Sequence, residues 1–199
     1  MSNHSTASIN PSAIGLFGLA IVTLVASTQK LGITDGTSLI IPWAFFLGAC
    51  AQLYASIIDA KLNNTFGATA FGAFAFFWYS VAMTWLIQNG VFGEKMAANS
   101  DIKQLGFAFL GYLIFSLYMT IASMGTNKVL FIDFIFIDLL FLGLSLSVLG
   151  FAVEPMHMLA ACSEFTVAMI SFYGSAAVVI NTQFGKTILP VGGPFKYFK

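Results

Sequence analysis

The chain has 199 residues, of which 58% are hydrophobic and 8% charged, and its eight basic and eight acidic groups leave no net formal charge. A soluble domain carries about 25% charged residues, so these few charges cannot cover the surface of a water-soluble protein of this length. Zero net charge argues against nucleic acid as a partner, and with Lys as the sole basic side chain there is no Arg to clamp a carboxylate in bidentate fashion.

The chain opens with a polar stretch, Met1 to Ser12, that holds no Lys or Arg. It lacks the basic segment of a cleavable signal, so the first apolar span is expected to stay in the protein. Six apolar segments follow, each near the roughly 20 residues that a helix needs to cross the hydrocarbon core. They run about Ala13 to Thr28, Ser38 to Ile58, Ala68 to Ile87, Leu105 to Met124, Val129 to Phe151 and Leu159 to Ile180. The runs are too long and too continuously apolar for the alternating strands of a barrel. Breakers and charges separate them at Lys30 to Gly36, Asp59 to Asn64, Asn89 to Gln104, Gly125 to Lys128 and Glu154 to His157. The predicted fold class is an all-α integral membrane protein. It divides into a polar N-terminal segment (1–12), a six-helix transmembrane domain (13–185) and a C-terminal tail (186–199).

An even number of spans puts both termini on one side. With that side cytoplasmic, it holds Lys61, Lys128, Lys186, Lys196 and Lys199, against Lys30, Lys95 and Lys103 opposite. This favours a multi-pass cell-membrane protein with both termini inside. Small residues recur at Gly15 and Gly18, Ala68 and Gly72, and Gly106 and Gly111, where close helix approach is expected. Cys50 and Cys162 lie in apolar stretches without metal-ligand spacing and read as buried small residues.

Three motifs could carry function. Asn10-Pro11-Ser12-Ala13-Ile14-Gly15-Leu16 heads the first span. Asn is a strong N-cap and Pro suits the first turn, so this end offers free N–H groups and partial positive charge to an anion. A plain helix cap is the alternative. The second motif, Lys61 to Phe71, contains Asn64 or Thr65 as a cap for the third span and follows Gln52 and Tyr54 on the second. A Gln at membrane depth needs a partner or lines water. The third, Asn181 to Pro190, echoes the second in its Asn-Thr, Phe-Gly and Thr, a short echo of the kind an internal repeat would leave.

Together these motifs resemble the acetate uptake transporters, whose bacterial members are called succinate–acetate permeases. That family opens with an Asn-Pro-Ala-Pro-Leu-Gly-Leu type motif, matched by Asn10 to Leu16, and has an Ala-Gln pair matched by Ala51 and Gln52. Its Gly-Asn-Thr-Phe-Gly-x-Thr-Ala-Phe followed by Phe-Trp is matched by Asn63 to Phe71 with Phe77 and Trp78. Its closing Asn-x-Gln-Phe-Gly-Arg-Thr-Val-Leu-Pro is matched by Asn181 to Pro190. The resemblance implies six helices around a central pore in each subunit, a homo-hexamer, and transport of acetate and related short carboxylates as a proton-coupled symporter or an anion channel. No cofactor is expected. The family's second Pro is Ala13 here, and the Gly before Asn-Thr-Phe-Gly is Asn63. The resemblance also places a hydrophobic constriction at Leu19, Phe74 and Ile137.

On this reading Asn10, Gln52, Asn64 and Thr65 contact the carboxylate, and Thr23 and Tyr79 line the path. A dry neck of the three apolar residues favours a small ion with a methyl group over a fully hydrated one. Span five carries two acids. Asp138 lies about 14 Å into the bilayer, with Asp133 about 8 Å shallower and some 140° around the helix. Asp138 is the candidate for proton coupling, and a hydrogen bond at a helix contact is its alternative role. Glu154, His157 and Glu164 read as the end of a solvated loop, with a His that senses pH beside carboxylates as the alternative. Neither His is expected within a span, neither Cys has a basic neighbour, and no nucleophile–base or metal constellation emerges, so an enzyme is not expected. A membrane sensor or structural protein that binds a carboxylate without passing it is the second reading.

Overall fold

The computed structural model describes residues 9–196. Six long helices cover the apolar runs: α1 (Ser12–Lys30), α2 (Ile41–Lys61), α3 (Thr65–Gln88), α5 (Ile102–Ser123), α6 (Lys128–Leu149) and α7 (Val153–Phe184). A short helix, α4 (Glu94–Ala98), lies in the loop between α3 and α5. Each long helix is apolar enough to span a bilayer, which makes this a multi-pass membrane protein.

Local chemistry sets the ends. Asn127 caps α6 through its Oδ1, which accepts from Leu130 N at 3.0 Å, and Gly150 closes the helix in the left-handed region. The sixth span starts at Val153 rather than near Leu159. Pro155 falls in its first turn, where its missing N–H costs nothing, and so does not break the helix. His157 is thereby brought inside a spanning helix, contrary to the sequence expectation. At 32 residues α7 is the longest element.

The helices form a ring. α1 packs on α7, α7 on α6 and α6 on α5, while α2 packs on both α1 and α3. Little backbone contact joins α3 to α5; aromatic side chains close this seam. The Tyr112 hydroxyl donates to the Ala73 carbonyl at 2.9 Å, and the Phe77 and Tyr112 rings meet edge to face at 4.9 Å. Lipid tails are as apolar as the side chains, so such packing, rather than expulsion of water, holds the ring together. At Gly18 an added Cβ would meet the Leu47 carbonyl and, at 3.0 Å, the Ala51 Cβ, so Gly here lets α1 and α2 touch backbone to backbone. Gly111 faces open space and supports no such approach.

Within α2, Ala44–Ala51 forms a π-helical stretch that ends immediately before Gln52. The echo between the second and third motifs is not a structural repeat. Asn64 starts α3, whereas Asn181 lies near the end of α7 and folds the tail back, accepting from Ile188 N and Leu189 N and donating to the Leu189 carbonyl. The tail then covers the start of α6, where the Val191 carbonyl accepts from Lys128 N and Val129 N, and Phe195 N donates to the Met124 carbonyl.

Candidate functional site

A cavity of about 160 Å³ opens at the end of the ring where α1, α3 and α6 begin. One water needs about 10–15 Å³ on this measure, so a small carboxylate and several waters fit. Ser12, Leu16 and Leu19 of α1 line it, with Gln52 of α2, Asn64, Phe66, Phe71 and Phe74 at α3, and Thr126, Leu130, Asp133 and Ile137 at α6.

Each of the three helix starts around the cavity carries an Asn. Asn10 Oδ1 accepts from Ser12 N at 3.0 Å, Asn64 Oδ1 from Gly67 N at 3.2 Å and Asn127 Oδ1 from Leu130 N at 3.0 Å. Three positive helix ends thus converge, each worth about 0.3–1 kcal/mol toward a nearby negative charge. Sequence reasoning found the first two. It missed Asn127, although an Asn directly before an apolar run is the signal for a cap. Asn63, which stands where the related motif has Gly, adopts φ +57°. After Gly, Asn tolerates that left-handed conformation best, so the substitution preserves the turn.

The α3 start already hosts an acid of the chain itself. Asp59 is buried, and Asn64 Nδ2 donates to its Oδ1 at 2.8 Å. Asp59 Oδ2 has no partner and lies where a Cβ on Gly67 would stand.

Gln52 is fully buried in the cavity wall. Its Nε2 donates to the Gly48 carbonyl at 2.7 Å, while Oε1 is without a partner. The wide π-turn presents the Gly48 carbonyl to this amide. Among the other predicted contacts, Asn10, Thr23, Thr65 and Tyr79 do not line the cavity. Asn10 and Thr65 are exposed at their helix starts. Thr23 Oγ1 donates into its own helix, to the Leu19 carbonyl at 2.7 Å. The Tyr79 hydroxyl pairs with Cys50 Sγ at 3.1 Å, and its ring packs on Phe45, toward the outside of the ring. Cys162 is exposed rather than buried.

Leu19, Phe74 and Ile137 come together, all buried, at the inner end of the cavity. Behind them lies a block of rings. Phe74 stacks on Phe141 at 6.3 Å, and Phe141 meets Phe77 at 5.2 Å and Tyr112 at 5.5 Å. A second cavity of about 220 Å³ lies beyond, lined by Phe77, Trp78, Gln29, Lys30, His157 and Glu164 among others. One helical turn separates Phe74 from Phe77, so the apolar block is about 5 Å thick along α3. Glu164 is not in a solvated loop. It is buried within α7 and accepts from Lys30 Nζ at 2.9 Å across to α1.

Asp138 faces α5, where its Oδ2 accepts from Thr120 Oγ1 at 2.7 Å, and it is not part of the cavity wall. Asp133 is. It is 2% exposed, its Oδ2 accepts from Ser171 Oγ at 3.1 Å, and its Oδ1 is buried without a partner. Asp133 precedes Ile137 by one turn, which puts both on the cavity face. A continuously apolar helix gives no periodicity from which to tell which of its two acids turns inward.

A family model described as the GPR1/FUN34/yaaH family matches residues 1–192. Among relatives, the succinate-acetate/proton symporter SatP of Escherichia coli is 27% identical over 92% of this chain and 95% of its own length. Acetate permease A of Emericella nidulans is 27% identical over 92% of this chain and 65% of its own. Among solved structures, that of the bacterial acetate channel SatP superimposes with a TM-score of 0.85 at 26% identity, covering 92% of this chain and 99% of that one.

Proposed function

The chain belongs to the GPR1/FUN34/yaaH family, and from that premise we propose that it carries acetate and related short-chain carboxylates across the membrane, as a proton-coupled symporter or an anion channel. The observation that carries this reading is the cavity rimmed by three helix starts and ended by Leu19, Phe74 and Ile137. Positive helix ends draw the anion in without Arg. The apolar neck then passes a methyl-bearing ion more readily than one that must keep its full water shell. Gln52, Asn64 and the starts of α1 and α3 are the polar contacts. The relatives named symporter, permease and channel support transport over chemistry.

The Lys distribution supports a cell-membrane orientation with both termini in the cytoplasm, where the three-Asn cavity then opens. A homo-hexamer fits the exposed apolar faces, such as Phe46, Phe76, Phe107 and Ile114, which must meet lipid or a neighbouring subunit. The two cavities on opposite sides of a ring-filled neck favour one other reading, a receptor that binds a carboxylate and never opens. Labelled acetate uptake into proteoliposomes decides between them. Transport gives uptake well above that of bare lipid, and equal rates reject it.

A further inference from the structure

We propose that Asp133 is a proton-sharing group of the inner cavity, so that a carboxylate binds there only together with one proton. This rests on the carboxylate-transport reading above and adds the chemical state in which the substrate is held.

Part of the donor capacity of the cavity wall is already used. Gln52 Nε2 gives one of its two N–H groups to the Gly48 carbonyl, Asn64 Nδ2 one of its two to Asp59, and Thr126 Oγ1 donates to the Ser123 carbonyl, while the Ser12 hydroxyl stays open. The wall's unpartnered buried atoms, Gln52 Oε1 and Asp133 Oδ1, are both acceptors, and a third, Asp59 Oδ2, lies one layer behind Asn64. A carboxylate brings acceptors only. Placed against these walls beside an ionised Asp133, it would set two like charges in one apolar space, which neither can tolerate without a proton between them. A single proton resolves both defects. Carried on Asp133 Oδ1, it turns the orphaned acceptor into a donor to the substrate; carried on the substrate, it makes the substrate the donor to Asp133 Oδ1. The step is RCOO⁻ plus H⁺ plus protein giving one complex, with the proton shared between two carboxyl groups and no other bond made or broken.

Among the described residues, no other charged side chain lines this cavity. From α2, Asp59 is held by Asn64. On α6, Asp138 faces Thr120, and Lys128 lies against the tail at Gly192. From α7, Ser171 faces Asp133, the Tyr173 hydroxyl donates to the Pro190 carbonyl, and Glu164 pairs with Lys30 of α1 at the other cavity. α3 contributes apolar side chains and Asn64. Asp133 is therefore the acid placed to meet the substrate, and its neighbour Ser171 holds it whether or not it carries the proton.

The test is acetate binding by the purified full-length chain in lipid nanodiscs, measured calorimetrically in buffers of different ionisation enthalpy. At a pH alkaline enough to ionise the acetate-free cavity, the wild type is expected to take up about one proton per acetate bound, and Asp133→Asn, which keeps the size and the bond to Ser171, about none. Asp138→Asn is expected to match the wild type. Unchanged proton uptake in Asp133→Asn, or none in the wild type, overturns the proposal. Infrared difference spectra of the wild type give a second reading that needs no variant. With ¹³C-acetate moving the ligand bands aside, a change in a protein carboxylic-acid band on binding is expected, and its absence overturns the proposal. Acetate flux by the wild type without proton uptake defeats this inference alone. Neither binding nor flux defeats the transport reading and this inference with it.

Discussion

Ile137→Ala is the perturbation that probes the neck most directly. Ile137 is 4% exposed and meets Leu19 and Phe74 at the end of the inner cavity. The change removes three carbons, and at about 0.8 kcal/mol each the lost packing is about 2–3 kcal/mol, within the usual range for such truncations. That lowers the melting temperature without unfolding a six-helix bundle. The functional consequence is larger in proportion. One methylene in an apolar pocket discriminates by about 1–3 kcal/mol, or 10–200-fold. Removing three carbons from one wall leaves room for the extra methylenes of propionate and butyrate. The butyrate-to-acetate uptake ratio in proteoliposomes is expected to rise about tenfold or more, while total acetate uptake holds or increases. An unchanged ratio, in a variant shown by size exclusion to be intact, would mean that Ile137 is packing and that the selective constriction lies elsewhere.

Asn64→Ala removes a cap and a donor to buried Asp59; a loss of about 1–3 kcal/mol is expected in thermal unfolding, with reduced acetate affinity. Glu164→Ala leaves Lys30 without its partner and is expected to cost about 3–5 kcal/mol, whereas Lys30→Met with Glu164→Leu recovers most of it; a double-mutant cycle on melting curves measures both. Gly18→Ala forces a Cβ onto the Leu47 backbone, where no side chain can move aside, and a loss of about 1–3 kcal/mol or failure to assemble should appear in yield and melting temperature.

The six spans were legible because length and unbroken apolarity are what a bilayer demands. The cap at Asn64 was legible because its chemistry is local. What the sequence withheld is rotation. A helix that is apolar all round carries no stripe to say which face looks inward. Hence Tyr79 and Thr23, plausible as path residues, point to Cys50 and to the helix's own backbone, and of two acids on α6 the one facing the cavity is Asp133 rather than Asp138. Glu164 was misplaced for a related reason. Pro155 reads as a breaker until its position in the first turn is known, and the partner that makes a buried Glu tolerable, Lys30, is 134 positions away. Leu19, Phe74 and Ile137 were singled out by resemblance, and composition alone would not have separated Phe74 from the chain's other Phe residues.

The 32 residues of α7 correspond to about 48 Å, against a hydrocarbon core of about 30 Å. Such a helix must lean or project, and the lean grows as the surrounding lipid thins. Because α7 is packed on α1 and α6, which supply Leu19 and Ile137, its slant is mechanically tied to the apolar end of the inner cavity. Acyl-chain length should therefore tune passage through this protein in the absence of any ligand.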